Sequence, residues 1–307
     1  MGPILNRTPL AACAFSDGNG AHIRVYYQDT EGTVKETYYD DKAGWALRNP
    51  DVIGKAKLNT GIACCAWANG TQIRVYFIDA NNKICERIYE GGAAGSWHDG
   101  TLSISHDFKA APYSKLSCIG YDQYESLRVY YQDTSNKLRE LIFDGSKWKE
   151  GDNSLPTACS GSAISANAHK ERQDRWIYYQ DVSMNPKEIW YDGSRWNNGG
   201  FNPTGVFSPC AGIKTAMWNN SGNSEIRNVS VSDDNMLRVT TYTGKAWTGT
   251  KDLTRTITGS DVACVIVPGT NHWTRVYYQA EGEKIAEYGS NDGQNWSLMQ
   301  ASLPTSN

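Results

Sequence analysis

No stretch of this 307-residue chain approaches the roughly 18 consecutive apolar residues that a membrane-spanning helix needs. A surplus of charge is missing too, because 30 Lys and Arg stand against 33 Asp and Glu, a formal charge of −3. Such a balance offers no electrostatic footprint for a phosphate backbone or an anionic membrane surface. With only 5 Met and 21% charged residues beside 11 Trp, 18 Tyr and 29 Gly, the composition favours strands and turns over a helical bundle. The five histidines (His22, His98, His106, His169 and His272) are scattered without an HExxH pair, and no two cysteines have CxxC spacing, so a metal site is not expected. The start, MGPILNRTPLAACAF, lacks a basic segment ahead of an apolar core. The expectation is a soluble chain without a conventional export signal, cytoplasmic or released by another route.

Eight cysteines would suit a disulfide framework in a small secreted domain, but a chain of this size does not need one. Cys13, Cys64, Cys118 and Cys264 each precede a repeated arginine by 10 or 11 residues, which puts them at like positions in successive units. A ring of units would hold like positions apart, so buried free thiols are expected.

What the chain does contain is a repeat. The segment reads IRVYYQDTEGTVKE at 23 to 36, IRVYFIDANNKICE at 73 to 86, LRVYYQDTSNKLRE at 127 to 140, and TRVYYQAEGEKIAE at 274 to 287. Two looser copies run WIYYQDVSMNPKE at 176 to 188 and IRNVSVSDDNMLRV at 226 to 239. The arginine-equivalent positions are 24, 74, 128, 176, 227 and 275, at steps of 50, 54, 48, 51 and 48 residues, so six units fill the chain. In each unit a small, apolar run precedes the RVYYQ run, and a polar turn, the KIxE run and a DGSKW-like element follow it, as at Asp144 to Trp148. Short β-branched and aromatic runs bounded by Gly, Asn, Asp and Ser read as four antiparallel strands per unit. Four-stranded units repeated radially make a β-propeller. The expected fold is all-β, a single six-bladed β-propeller domain with repeats near 9–58, 59–110, 111–155, 156–207, 208–258 and 259–307, the termini closing the ring. The twin glycines of kelch blades are absent from most units and the WD dipeptide from all. A linear array would need capping repeats, and neither end differs in composition.

The spacing from the Arg position to the Glu position is 12 in every copy. A hairpin turn centred six residues after the arginine would set the two directly opposite on adjacent strands: Arg24 with Glu36, Arg74 with Glu86, Arg128 with Glu140, and Arg275 with Glu287. Alone, that is a surface ion pair worth about 0.2 to 1 kcal/mol. Three residues after the Glu position comes an aromatic ring, at Tyr39, Tyr89, Phe143, Tyr191 and Tyr242, with Ser290 in the sixth copy. By the strand period of two, that ring faces away from the Arg and Glu, toward the other neighbouring blade. A Trp opens the outer strand of every unit, at Trp45, Trp97, Trp148, Trp196, Trp247 and Trp296. The Arg and Glu of one blade should therefore meet the ring and Trp of the next. A donor fork, a carboxylate and an aromatic wall suit paired sugar hydroxyls and a patch of C–H.

At these residues the chain resembles the fungal fucose-binding lectins of the Aleuria aurantia type over essentially its whole length. The resemblance implies a multivalent lectin for L-fucose and fucosylated glycans, homodimeric, without a metal, a cofactor or enzymatic activity. It implies that Arg meets ring and hydroxyl oxygens, that Glu accepts from a hydroxyl, and that the neighbouring blade's aromatics hold the apolar face and methyl group. Carried over, the sites comprise Arg24 and Glu36 with Tyr89 and Trp97, and Arg74 and Glu86 with Phe143 and Trp148. Two more comprise Arg128 and Glu140 with Tyr191 and Trp196, and Arg275 and Glu287 with Tyr39 and Trp45. Blade four has Trp176 in the arginine position and keeps Glu188, opposite Tyr242 and Trp247; its adjacent Arg175 should face the wrong way. Blade five keeps Arg227 but has Val239 for the glutamate, opposite Ser290 and Trp296. These two sites should be weak or silent. Thr71, Glu125 and Gln173 should vary the pocket walls.

Two other functions fit a propeller. A sialidase-like glycosidase is prompted by Ser290 to Trp296, which approaches an Asp-box but is one residue short. Such enzymes gather arginines from several blades at one site, whereas here each unit carries its own pair. A protein-interaction propeller would bind through one rim instead of lateral clefts.

Overall fold

The aspartate that ends the RVYYQD motif closes the turn that follows it. Asp29 Oδ1 accepts the backbone N–H groups of Glu31 (2.9 Å) and Thr33 (2.8 Å), and Asp79, Asp133 and Asp181 repeat the arrangement. The next hairpin uses the aspartate of the DGS element, with Asp144 accepting from Ser146 and Lys147, and Asp192 from Ser194 and Arg195. Both are Asx turns, which offer backbone donors an acceptor where the ladder ends.

The computed structural model describes residues 2–305 apart from 92–94, 122–125, 152–153, 170–173, 202, 204–206, 221–222 and 271, and apart from the side chains of 50, 51, 121, 219, 220 and 223. Blade 1 comprises β1 (Ala11–Asp17), β2 (Gly20–Gln28), β3 (Thr33–Asp40) and β4 (Gly44–Lys55). Blade 2 comprises β5 (Ile62–Trp67), β6 (Gln72–Ile78), β7 (Ile84–Glu90) and β8 (Ser96–Asp99). Blade 3 comprises β9 (Ser117–Tyr121), β10 (Ser126–Gln132), β11 (Leu138–Phe143) and β12 (Trp148–Glu150). Blade 4 comprises β13 (Ile164–Ala168), β14 (Arg175–Gln180), β15 (Pro186–Tyr191) and β16 (Trp196–Asn198). Blade 5 comprises β17 (Ile213–Asn220), β18 (Asn223–Val231), β19 (Met236–Tyr242) and β20 (Lys251–Arg255). Blade 6 comprises β21 (Val262–Ile266), β22 (Thr274–Ala280), β23 (Lys284–Ser290) and β24 (Trp296–Gln300). Every sheet is antiparallel with its four strands in chain order, and one short helix, α1 (Thr101–Ser105), follows blade 2.

Each inner strand touches the inner strands on both sides, and β1 meets β21, so the six sheets close into a ring. The core lies between sheets: Tyr26, Val34 and Ile53 of blade 1 pack against Ile73, Val75 and Tyr89 of blade 2. The motif glutamine, present in four of the six blades, ties four junctions. Gln28 Nε2 donates to Lys57 O (2.9 Å), Gln132 Nε2 to Cys159 O (3.0 Å), and Gln180 Nε2 to Ser208 O (3.0 Å), each acceptor lying on the way to the next blade. Gln279 does the same across the ends of the chain, donating to Leu5 O (3.1 Å) and accepting from Thr8 N–H (3.2 Å). The N-terminal segment thus serves as the connector after the last blade.

All eight cysteines are free. Cys13 is buried, six are half-buried and Cys210 is exposed, so burial of the whole set does not hold. Nor are the repeated thiols kept apart: Cys13 lies against Cys64, and Cys118 against Cys65. Radially repeated strands are closest at the axis, where the inner strands bring neighbouring thiols together around the channel.

Candidate functional site

The register corrects the expected pairing. Arg24 stands opposite Tyr38, and Glu36 opposite Tyr26, so the turn is centred seven residues after the arginine and the Arg and Glu are diagonal neighbours on one face. Arg74, Arg128 and Arg275 have the same relation to Glu86, Glu140 and Glu287. The pairs are not at the surface. Arg128 is 8% exposed and Glu140 3%, and Glu36 is wholly buried.

The residue directly opposite the glutamate is the first tyrosine of the YY pair, and it holds the carboxylate. Tyr76 Oη donates to Glu86 (2.9 Å), Tyr130 to Glu140 (2.9 Å), Tyr178 to Glu188 (3.0 Å) and Tyr277 to Glu287 (3.1 Å). The arginine is held as tightly. Arg24, Arg74, Arg128 and Arg275 each donate from Nη1 to the carbonyl of the preceding residue, at 3.0 to 3.1 Å. A polar side chain four positions after the glutamate orients three of them: Asp40 on Arg24 (3.0 Å), Glu90 on Arg74 (3.2 Å) and Asn291 on Arg275 (2.8 Å). Rings lie over the same three guanidinium groups, Phe15 of β1 at 5.0 Å, Trp67 of β5 at 4.7 Å, and Trp273, just ahead of β22, at 5.0 Å. Sequence reasoning did not single out these supports, although the polar character four residues after the glutamate was legible. Glycine makes room behind the carboxylates, since a Cβ at Gly100, Gly151 or Gly199 would lie 2.0 to 2.4 Å from Glu86, Glu140 or Glu188.

The facing blade supplies aromatics at every junction, as the alternation along the strands requires. Trp97 meets Tyr26 edge-on at 6.2 Å, and Tyr89 lines a cavity of about 570 Å³ with Arg24, Tyr38 and Thr71. Trp148 meets Tyr76 at 6.0 Å, with Phe143 beside it. Trp45 meets Tyr277 at 5.9 Å, with Tyr39 at 5.7 Å from Trp45. Trp196 and Tyr191 belong to the junction of blades 3 and 4, next to Glu140. Glu125 and Gln173 lie outside the described residues.

Among the described residues, two junctions hold a second arginine that the repeat does not announce. Arg48 of β4 contacts Glu36 (3.1 Å) and lies 4.4 Å over the Tyr89 ring. Arg175, facing blade 3 and not blade 5, lies 3.6 Å from Glu140, which Arg128 also approaches at 3.4 Å. It stacks 4.0 Å over Tyr191 and 5.4 Å from Trp196. By contrast, Arg275 and Glu287 form a single pair at 3.2 Å.

The two degenerate junctions diverge. Between blades 5 and 6, Trp296 packs against the cluster containing Val229 and Val239, while Arg227 turns to Glu225 (3.0 Å) and crowds Gly293. Between blades 4 and 5, Glu188 lines a cavity of about 690 Å³ with Trp176, Trp190, Tyr242 and Trp247. Burial raises the carboxyl pKa values of Glu36, Glu86, Glu188 and Glu287. Nearby guanidinium groups pull the values of Glu36, Glu86 and Glu287 back, whereas only hydrogen-bond donors do so at Glu188.

Clefts between blades that pair a guanidinium and a buried carboxylate with aromatic walls define a propeller of the saccharide-binding class. The family model for the fungal fucose-specific lectins matches residues 4–306, and the chain belongs to that family. A fucose-specific lectin of Aspergillus oryzae is 33% identical over 165 residues, covering 52% of this chain and 49% of that protein. The match thus spans about half the length of that curated relative. The six-bladed β-propeller lectin of Aleuria aurantia superposes with a TM-score of 0.88 at 27% identity, covering 99% of this chain and 98% of the other. The SapL1 lectin, solved in complex with α-methyl fucoside, does so at 0.82 and 30% identity, covering 97% of each.

Proposed function

We propose that this protein is a multivalent, non-enzymatic lectin that binds L-fucose and fucosylated glycans in its inter-blade clefts. The junction of blades 6 and 1 carries the reading furthest. There Arg275 and Glu287 form one ion pair at 3.2 Å, Tyr277 holds the carboxylate, and Trp45 and Tyr39 face them from blade 1. The guanidinium donates to sugar oxygens, the carboxylate accepts from hydroxyls, and the rings take the C–H face and the methyl group. The equivalent cleft of Arg74, Glu86, Phe143 and Trp148 has the same parts. Those of Arg24 with Glu36 and Arg128 with Glu140 contribute more weakly, because Arg48 and Arg175 already lie on their aromatic walls. One shallow cleft binds weakly, and several on a rigid ring raise avidity by roughly 10² to 10⁴ where glycan spacing permits.

The test is titration calorimetry with L-fucose against D-glucose. Saturable fucose binding at several sites per chain, with loss of one site in Arg275→Ala and another in Arg74→Ala, supports the reading. Absence of fucose binding, or an isotherm unchanged in both variants, refutes it. A homodimer, implied by the family resemblance, would double the number of clefts per particle, and sedimentation equilibrium measures it.

A further inference from the structure

We infer that the cleft between blades 4 and 5 takes an organic ammonium ion, held by the Glu188 carboxylate between tryptophan walls. At the other four glutamate-bearing junctions an arginine compensates the carboxylate: Arg48 at Glu36, Arg128 and Arg175 at Glu140, Arg275 at Glu287, and Arg74 near Glu86. Trp176 stands in the arginine position of blade 4, and Arg175 has gone to blade 3. Among the described residues no cation forms an ion pair with Glu188. Its carboxylate, 8% exposed, accepts Tyr178 Oη (3.0 Å) and the backbone N–H of Phe201 (2.8 Å), with the Trp247 indole and the Gly200 backbone N–H also directed at it. All four donors are neutral, so the site keeps a buried negative charge.

Around that charge lies the cavity of about 690 Å³, with Trp176 and Trp190 on the blade 4 side and Trp247 and Tyr242 on the blade 5 side. Trp176 and Trp190 stand opposite each other on β14 and β15. Trp247 is fixed by edge contacts with Phe201 at 4.6 Å and Tyr178 at 6.0 Å. Aromatic faces attract a cation through their quadrupoles, and more strongly when the cation is desolvated. A neutral sugar would lack the donor fork that the other clefts provide, whereas an ammonium both satisfies the carboxylate and packs on the indoles. Among the described residues Lys245 is the one basic residue lining the cavity, and its exposed position at the turn lets the side chain extend into solvent. The ammonium could belong to a sugar bearing a free amine or to a quaternary headgroup, and the probes separate the two.

The experiment titrates the full chain with D-glucosamine hydrochloride, with choline chloride and with N-acetyl-D-glucosamine, at a pH where the glucosamine amine is charged. The expected result is one site per chain for an ammonium, weakened about tenfold or more by Glu188→Gln, with little affinity for the uncharged N-acetyl sugar. Tighter glucosamine binding assigns an amino sugar, and tighter choline binding a quaternary ammonium. N-acetylglucosamine binding as well as glucosamine, no saturable ammonium binding, or an isotherm unaffected by Glu188→Gln overturns the inference. Because Glu188 also anchors Tyr178 and Phe201, Trp176→Arg is the second variant: it restores a guanidinium at the cleft and should abolish ammonium binding, and persistence of that binding overturns the inference as well. The inference does not rest on fucose binding, so failure of L-fucose to bind anywhere would leave it standing.

Discussion

Arg175 lies 3.6 Å from Glu140 and 4.0 Å over the ring of Tyr191, so blade 4 lends a cation to the cleft it shares with blade 3. Arg48 does the same at Glu36 and Tyr89, from within blade 1. A guanidinium on the aromatic wall occupies the face on which a sugar would stack. Arg175→Ala leaves Arg128 on Glu140 and frees the wall. Fucose affinity at that cleft is expected to rise about fivefold, the equivalent of ~1 kcal/mol of aromatic contact. A calorimetric titration that shows weaker binding or one site fewer would instead make Arg175 a sugar ligand.

The burial of the Arg and Glu pairs changes what their loss should do to the fold. Arg275→Ala strands Glu287, which then has only Tyr277 to offset its desolvation. The variant should lose about 3 kcal/mol in urea unfolding near neutral pH, and the double variant with Glu287→Gln should recover about 1 kcal/mol or more. Wild-type stability in the single variant would return the pair to the surface category expected from its spacing.

Acidification should weaken fucose binding in a range set by burial. Glu36, Glu86 and Glu287 have carboxyl pKa values raised above the ordinary 4.5. A raised value in the folded state means that folding favours the protonated form. The stability contributed by these groups is therefore fully present below the unfolded value and lost as the pH rises through the folded one. Binding has the opposite sign, because the ionised carboxylate is the better acceptor of sugar hydroxyls. Titrations at constant ionic strength should show affinity falling on acidification with a midpoint above 4.5, and a midpoint below it would contradict the assignment.

Gln279 should matter more to the whole ring than its chemistry suggests. Its two hydrogen bonds, to Leu5 O and from Thr8 N–H, join residues at opposite ends of the chain. Gln279→Ala is expected to cost about 1 to 3 kcal/mol in chemical denaturation and to increase amide exchange at Leu5 to Thr8 first. Unchanged exchange in that segment would show that packing alone closes the ring.

The thiols should differ sharply in reactivity. Contact with the Cys159 thiol, followed by the charge of Lys115, lowers the pKa of the exposed Cys210 to about 6. Burial raises that of Cys264 to about 12. Limited alkylation near neutral pH, read by peptide mass spectrometry, should label Cys210 well before Cys264. Equal labelling would mean that Cys210 is not held in this environment.

The sequence by itself determined the repeat, its four strands and the side on which each chemical group falls. A period near fifty residues counts the units, and the strand period of two separates Arg24 and Glu36 from Tyr39 whatever the neighbours do. It also placed Trp97 and Tyr89 opposite blade 1, because in a closed ring the outward face of one sheet has only one partner. The exact register was out of its reach: a shift of one residue in the turn centre preserves the face and changes Arg24 and Glu36 from opposite to diagonal. Only the tertiary structure decided the depth of the carboxylates, the meeting of Cys13 with Cys64 at the axis, and the arrival of Arg48 and Arg175 on Tyr89 and Tyr191. Those features depend on distances between separate sheets, and neither long arginine belongs to the repeat that fixed everything else.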